Sequence, residues 1–300
     1  MKKIILLGLS LLMGIGFFGC TINFPTVSNT TVATSSNIIS SDTTNTTEQS
    51  AILTVTDTTD SVSTDMTTEE EQTTYQTTTD EITTIEERFV DINLFSINDF
   101  HGGAYSDIEN LEYIGDYLKF QRSLDPDTII LGAGDIFQGT ALSNYYHGLP
   151  IVDVFNNIGF DGFVIGNHEF DWGIEEITAY RDGDTTNGEM EYPLLAANIV
   201  YEDSGDPLEN TVPYIIKDVK GVKVGIIGVI GDVIDSISAS RTENMVFLDA
   251  VDTVSQYAET LRVDEGCDVI VVYAHEGSYI DTSIANLTGN HYVNAIFNAH

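Results

Sequence analysis

The sequence predicts a layered α/β domain with a mixed sheet over residues 89–300, and three observations predict it. Short β-branched and apolar runs alternate with segments of helical period. Several of those runs stop abruptly in clusters of Asp, Asn, His and Gly, as expected where an open α/β sheet builds a site at the carboxyl ends of its strands. Two adjacent runs closed on Gly221 read as a hairpin, which adds an antiparallel member to the sheet. With 300 residues and 42% hydrophobic content, the chain has enough apolar material for a buried core.

The elements follow in order. Residues 90–97 alternate and form a first strand ending at Asn98-Asp99. Residues 111–124 are helical, with Leu111, Ile114, Leu118 and Phe120 on a broad face and Pro126 as the stop. Residues 128–131 form a second strand running into Gly132-Ala133-Gly134-Asp135, and residues 141–158 are helical but divided by Pro150. The third strand, 160–165, ends at Gly166-Asn167-His168. A short helix at 173–181, a strand at 194–200 and the hairpin of 212–217 with 222–230 come next. An amphipathic helix at 251–262 and strands at 269–273 and 293–297 complete the domain, and no internal repeat is evident.

Ahead of this domain the chain has a different character. Met1-Lys2-Lys3 and the apolar stretch 4–19 have the charged start and hydrophobic region of a secretory signal, and the stretch is short of the ~20 residues of a membrane span. It closes with Phe17-Phe18-Gly19-Cys20, which resembles the lipobox of bacterial lipoproteins, so residues 1–20 are expected to be a signal peptide with Cys20 as the lipidated residue. Residues 21–88 are dominated by Thr and Ser. A segment this poor in apolar residues is expected to be a disordered linker between the membrane and the domain. Cys267, at the head of an apolar run, reads as inert packing; with Cys20 lipidated or removed, no intrachain disulfide is expected.

The formal charge of −36 excludes one class of partner. Twelve of the 47 acidic residues fall between Thr21 and Glu87, and eight of the 11 basic residues follow Phe89, so the domain itself stays near −27. Such a surface lacks the clustered Lys and Arg that hold nucleic acid polymers by their phosphates. It also repels small anionic substrates unless bound cations reverse the local field.

The chemistry lies in the strand-end clusters. In Asp99-Phe100-His101 a carboxylate and an imidazole stand two positions apart, which puts both on one face of an extended segment, within reach of one cation. Asn167 and His168 are adjacent and therefore diverge, so that one can ligate a metal while the other faces substrate. Asp171, three residues on, can accept the second ring proton of His168 and fix its tautomer. His275 and His300 also end apolar runs, so four of the six histidines occupy such positions.

The succession Asn98-Asp99-x-His101-Gly102, Gly134-Asp135-x-x-x-Gly139-Thr140, Gly166-Asn167-His168-Glu169-Phe170-Asp171-x-Gly173 and His275-x-Gly277 resembles the 5′-nucleotidase family of calcineurin-like metallophosphoesterases, over about 90–300. The resemblance implies a four-layer α/β/β/α sandwich and a site for two divalent metal ions, Zn, Mn or similar. It implies Asp99 and His101 on the first metal, Asp135 bridging, and Asn167, His275 and His300 on the second. It also implies His168, oriented by Asp171, as the catalytic residue that stabilises the transferred phosphoryl group or assists the leaving oxygen. Two cations about 4 Å apart clamp a phosphate and activate a water for in-line displacement. With no nucleophilic Ser or Cys in a suitable motif, attack by metal-bound hydroxide is the expected route.

The family's last motif, Gly-His-x-His or Gly-His-x-Gln, is represented by Ala299-His300 alone. The final ligand of the first metal and the C-terminal substrate-binding domain are thus expected to be missing, which points to a truncated, poorly active chain with unknown substrate-binding residues. The expected function is that of a 5′-nucleotidase, anchored by lipid to the outer face of the bacterial membrane, with a nucleotide as its small-molecule partner and no protein partner inferred. UDP-sugar diphosphatase and 2′,3′-cyclic-nucleotide phosphodiesterase activities are the alternatives within the family. A non-catalytic surface-binding lipoprotein is the alternative from another class.

Overall fold

The computed structural model describes residues 16–37, 77–103, 108–276 and 279–300. Among them the chain divides into two compact units, one within Val27–Arg88 and one formed by Phe89–His300 with residues up to Thr26. Strands β1 (Gly16–Asn37) and β2 (Thr77–Asn98) cover both ends of the Thr- and Ser-rich segment. Those ends are extended where composition predicts disorder, a conformation that β-branched threonine favours. Residues 1–15 of the predicted signal and 38–76 of the predicted linker lie outside the described residues; Cys20 stands in β1.

The second unit is built on two sheets. The first runs β1-β2-β3-β4-β5-β7, with β3 (Ile129–Ala133), β4 (Gly162–Val164), β5 (Leu194–Leu195) and β7 (Thr211–Val212) continuing parallel from β2. In the second, β12 (Ala295–Ala299), β11 (Val269–His275) and β9 (Val222–Ile230) are parallel, and β8 (Tyr214–Val219) is the antiparallel edge. The hairpin of β8 and β9 turns at Lys220 and Gly221, both at positive φ. Strand β6 (Ile199–Tyr201) pairs separately with β10 (Met245–Phe247).

Three apolar interlayers separate four layers. In the first, Phe95 and Ile97 of β2 and Phe163 of β4 pack with α1 (Ile108–Leu124), α3 (Leu149–Ile158) and the short α4 (Ile174–Thr178) through Leu118, Val152, Phe155 and Ile177. The second lies between the sheets, where Leu94, Leu131 and Val164 meet Val224, Ile226 and Val271. In the third, the second sheet packs on α5 (Ala250–Val263) and α6 (Tyr279–Ala285) through Val254, Leu261 and Ile284. The period of two on β11 makes the layering explicit: Val269, Val271 and Tyr273 face the other sheet, whereas Ile270, Val272 and Ala274 face the helices. The arrangement is the α/β/β/α sandwich with mixed sheets that the resemblance implies. Cys267 is a free, buried thiol in the third interlayer, where burial pushes its pKa up.

Two elements differ from the sequence expectation for identifiable reasons. The helical stretch 141–158 breaks before Pro150, between α2 (Ala141–Tyr145) and α3, because Gly148 takes a left-handed conformation at φ +85 and caps α3. Pro150 then sits in the first turn, where no amide proton is required. The predicted strand 194–200 splits into β5 and β6 at buried Asn198. Its amide group donates to the carbonyls of Ile230 and Leu248, and its side-chain oxygen accepts from Ile230 N–H. Those bonds turn the chain out of the first sheet.

Candidate metal centre

Strands β2, β3, β4, β11 and β12 deliver their C-terminal ends to one edge. Asp99 and His101 follow β2, Asp135 follows β3, Asn167 and His168 follow β4, His275 closes β11 and His300 follows β12. Four of these residues leave their strands with positive φ: Asp99 at 53, His101 at 50, Asp135 at 57 and His300 at 100. Each left-handed non-glycine residue costs about 1–2 kcal/mol, and such strain concentrates at functional sites. Here hydrogen bonds between the loops hold it: Asp99 N–H donates to Gly134 O at 3.1 Å, His101 N–H to Asp135 O at 3.0 Å and Gly102 N–H to Ile136 O at 2.7 Å.

The centre is organised around Asp135 and His275, which are almost wholly buried. His275 places Nδ1 at 2.8 Å from Ala133 O, an acceptor, so Nδ1 carries the proton. Nε2 then turns towards Asp135 Oδ2 and Asn167 Oδ1, each at 3.1 Å. Three acceptor atoms of a neutral imidazole, a carboxylate and an amide cannot satisfy one another; a cation among them can. This oxygen and nitrogen set suits a divalent ion such as Zn²⁺ or Mn²⁺.

Two groups of ligand atoms share Asp135, each with all its atoms within 4.8 Å of one another: His101, Asp135 and His168, and Asp99, Asp135 and His275. The sharing of Asp135 is the geometry expected of a bridging carboxylate. Asn167 joins the second group through His275, and the His275 and His300 rings meet edge to face at 5.3 Å. His300 is exposed, with its backbone N–H 3.3 Å from Asp99 Oδ2. The Asn98 amide also donates to that oxygen, at 2.5 Å. His168 meets His101 edge to face at 5.0 Å and directs Nδ1 to Asp171 Oδ2 at 2.9 Å.

The electrostatics follow the same pairs. Burial by itself would raise the Asp135 carboxyl, but the hydrogen bond and charge of His275 hold it below the usual carboxylate value. Burial likewise opposes charge on His275, yet Asp135 raises its pKa. For His168, too, burial works downward, and the bond to Asp171 followed by the charge of Asp135 turns the shift upward.

Glycine is required where strands approach the centre. Gly134 has φ +87, and a Cβ there would overlap the His275 imidazole. Gly134→Ala is expected to cost about 1–2 kcal/mol through its backbone alone, and to displace His275 as well. Urea unfolding together with Mn²⁺ titration checks this; unchanged Mn²⁺ affinity would contradict the displacement.

Glu169 stands inside the third motif, where neither its residue type nor the resemblance assigns it a role. The structure buries it completely beneath Asp135, where burial, and then the Asp135 charge, push its carboxyl up to about 7. An acid in a turn carries no local sign of burial, so only its place inside a specific motif could have singled it out.

The calcineurin-like phosphoesterase family profile matches residues 93–300. The cell wall protein Lmo0130 of Listeria monocytogenes is 29% identical over 216 residues, 62% of this chain and 27% of that protein. A 5′-nucleotidase of Diplobatis ommata is 30% identical over 168 residues, 55% of this chain and 28% of that protein. Among solved structures, the NAD nucleotidase of Haemophilus influenzae superposes with a TM-score of 0.54 at 26% identity, covering 63% of this chain and 32% of that one. The chain thus spans under a third of the length of these relatives.

Proposed function

The chain belongs to the calcineurin-like phosphoesterase family, and from that premise we propose that it is a divalent-metal phosphohydrolase releasing phosphate from nucleoside 5′-monophosphates. The observation that carries the proposal is the convergence of His275 Nε2, Asp135 Oδ2 and Asn167 Oδ1, with His168 on the same carboxylate. Asp135 would bridge two ions. His101 would complete one side, and Asp99, Asn167 and His275 the other, with His300 beside them; Asp99 and His101 do not share the extended face expected from their spacing, since both residues are left-handed. Bound there, divalent ions supply positive charge to a phosphoryl group and lower the pKa of water.

The residues divide the remaining work. Asn167 contributes an oxygen without charge, which leaves net positive charge available to an anionic substrate. Attraction of that kind matters in a chain of formal charge −36. His168, held by Asp171 through Nδ1, would present Nε2–H to a phosphoryl or leaving-group oxygen. Similarity to a cell wall protein supports an extracytoplasmic setting, with Cys20 as the lipid tether of a secreted chain.

Phosphate release from AMP with added Mn²⁺ or Zn²⁺ tests the reading. Activity is expected to disappear with EDTA and to return when metal is restored, and release from AMP is expected to exceed release from UDP-glucose or 2′,3′-cyclic AMP. A metal-saturated chain that releases no phosphate from any of the three refutes it.

A further inference from the structure

We propose that Glu169 is a positioning residue that locks the Asp135 loop into the conformation required to hold metal; the inference rests on the site reading above. Glu169 lies in the 3-10 turn Asn167–Phe170 after β4 and is fully buried. Among the described residues its carboxylate accepts from backbone N–H groups alone. Oε2 takes Asp135 N–H at 2.9 Å and Gly166 N–H at 2.8 Å, while Oε1 takes Ile136 N–H at 3.0 Å and Phe137 N–H at 3.5 Å. Both oxygens are therefore engaged by backbone, which makes Glu169 a support for the ligands and not one of them.

These amides belong to the two loops that carry Asp135, Asn167 and His168. Successive N–H groups from Asp135 onward point at one carboxylate while Asp135 itself is left-handed at φ 57. In an extended segment the N–H groups of Asp135 and Ile136 would point to opposite sides, and one carboxylate could not take both. The lacing is reciprocal: Glu169 of the β4 loop accepts from the β3 loop, and Asp135 Oδ1 of the β3 loop accepts from His168 N–H at 2.9 Å. There is no room for looser packing, because a Cβ on Gly166 would lie 2.5 Å from Asp135 Oδ1 and 2.9 Å from Glu169 Oε2. Buried backbone N–H groups need acceptors, and leaving such donors unmatched is costly. Glu169 thus fixes the direction in which Asp135 Oδ2 meets His275.

The test uses the full chain stripped of metal and titrated with Mn²⁺, with the free-ion signal followed by electron paramagnetic resonance. E169Q, which replaces an acceptor oxygen with an amide donor, is expected to lower Mn²⁺ affinity about 10- to 100-fold, the usual effect of removing support behind a metal ligand. E169D, a carboxylate one methylene shorter, is expected to recover part of that loss. Circular dichroism establishes that the variants fold. A folded E169Q within twofold of the parent Mn²⁺ affinity overturns the proposal, even if its Tm falls, and so does a parent chain that takes up no Mn²⁺. If E169Q does not fold, hydrogen exchange on the parent decides: the Asp135, Ile136 and Gly166 amides are expected to be protected like those of the central strands, and exchange at exposed-loop rates overturns the proposal. Neither readout involves nucleotide hydrolysis, so a chain that binds Mn²⁺ but leaves AMP intact refutes the proposed function without touching this inference.

Discussion

Asp135→Ala is expected to lower kcat/KM for AMP by at least about 10³-fold, since metal charge on a transferring phosphoryl group is worth several kcal/mol and each 1.4 kcal/mol is tenfold. Its carboxylate is common to both candidate ligand groups, so its loss would take a ligand from each at once. The alanine also leaves His168 N–H without its acceptor and His275 without its buried counter-charge. Some of the loss could then come from a disordered loop. Asp135→Asn separates the two causes, because its amide oxygen can still accept from His168 N–H while the bridging charge is gone. Both variants are expected to be inactive, and only the alanine to loosen the loop, read as faster exchange of the Glu169-bonded amides. An asparagine variant with near-parent activity would remove Asp135 from the bridging role.

The edge on which the centre sits was legible because two local signals coincide there. A parallel strand writes itself as an apolar run, and its end is marked when the next residues are Asp, His or Asn. Asp99, Asp135, Asn167, His275 and His300 all stand at such ends. How those side chains sort around Asp135 was not legible: His275 lies 142 positions from Ala133, whose carbonyl fixes its tautomer, and no local pattern carries that distance. The same holds for Asn198, which breaks a predicted strand through contacts with Ile230 and Leu248. Helix α6 and strand β10 escaped for the opposite reason, being too short for periodicity to register. Glu169 combines both difficulties, since its partners are distant backbone amides and its residue type usually signals solvent.

His168→Ala is expected to lower kcat for AMP by about 10²- to 10⁴-fold, the range of a positioned general acid or base. The structure frames a sharper question than the size of the fall. His168 stands with His101 and Asp135 as a possible metal ligand, yet its Nδ1 is committed to Asp171, which leaves Nε2 as its one working atom. An Nε2 that serves metal cannot also serve substrate. If it donates to the phosphoryl or leaving oxygen, the variant keeps its Mn²⁺ stoichiometry and affinity, and kcat falls while KM changes little. The defect should also shrink for p-nitrophenyl phosphate, whose leaving oxygen needs little help from a proton. Asp171→Asn should show a weaker form of the same pattern, because an amide orients the imidazole without the charge that raises its pKa. A His168→Ala chain that binds one Mn²⁺ fewer would instead make His168 a ligand, and the acid in the reaction would have to be sought elsewhere on the same edge.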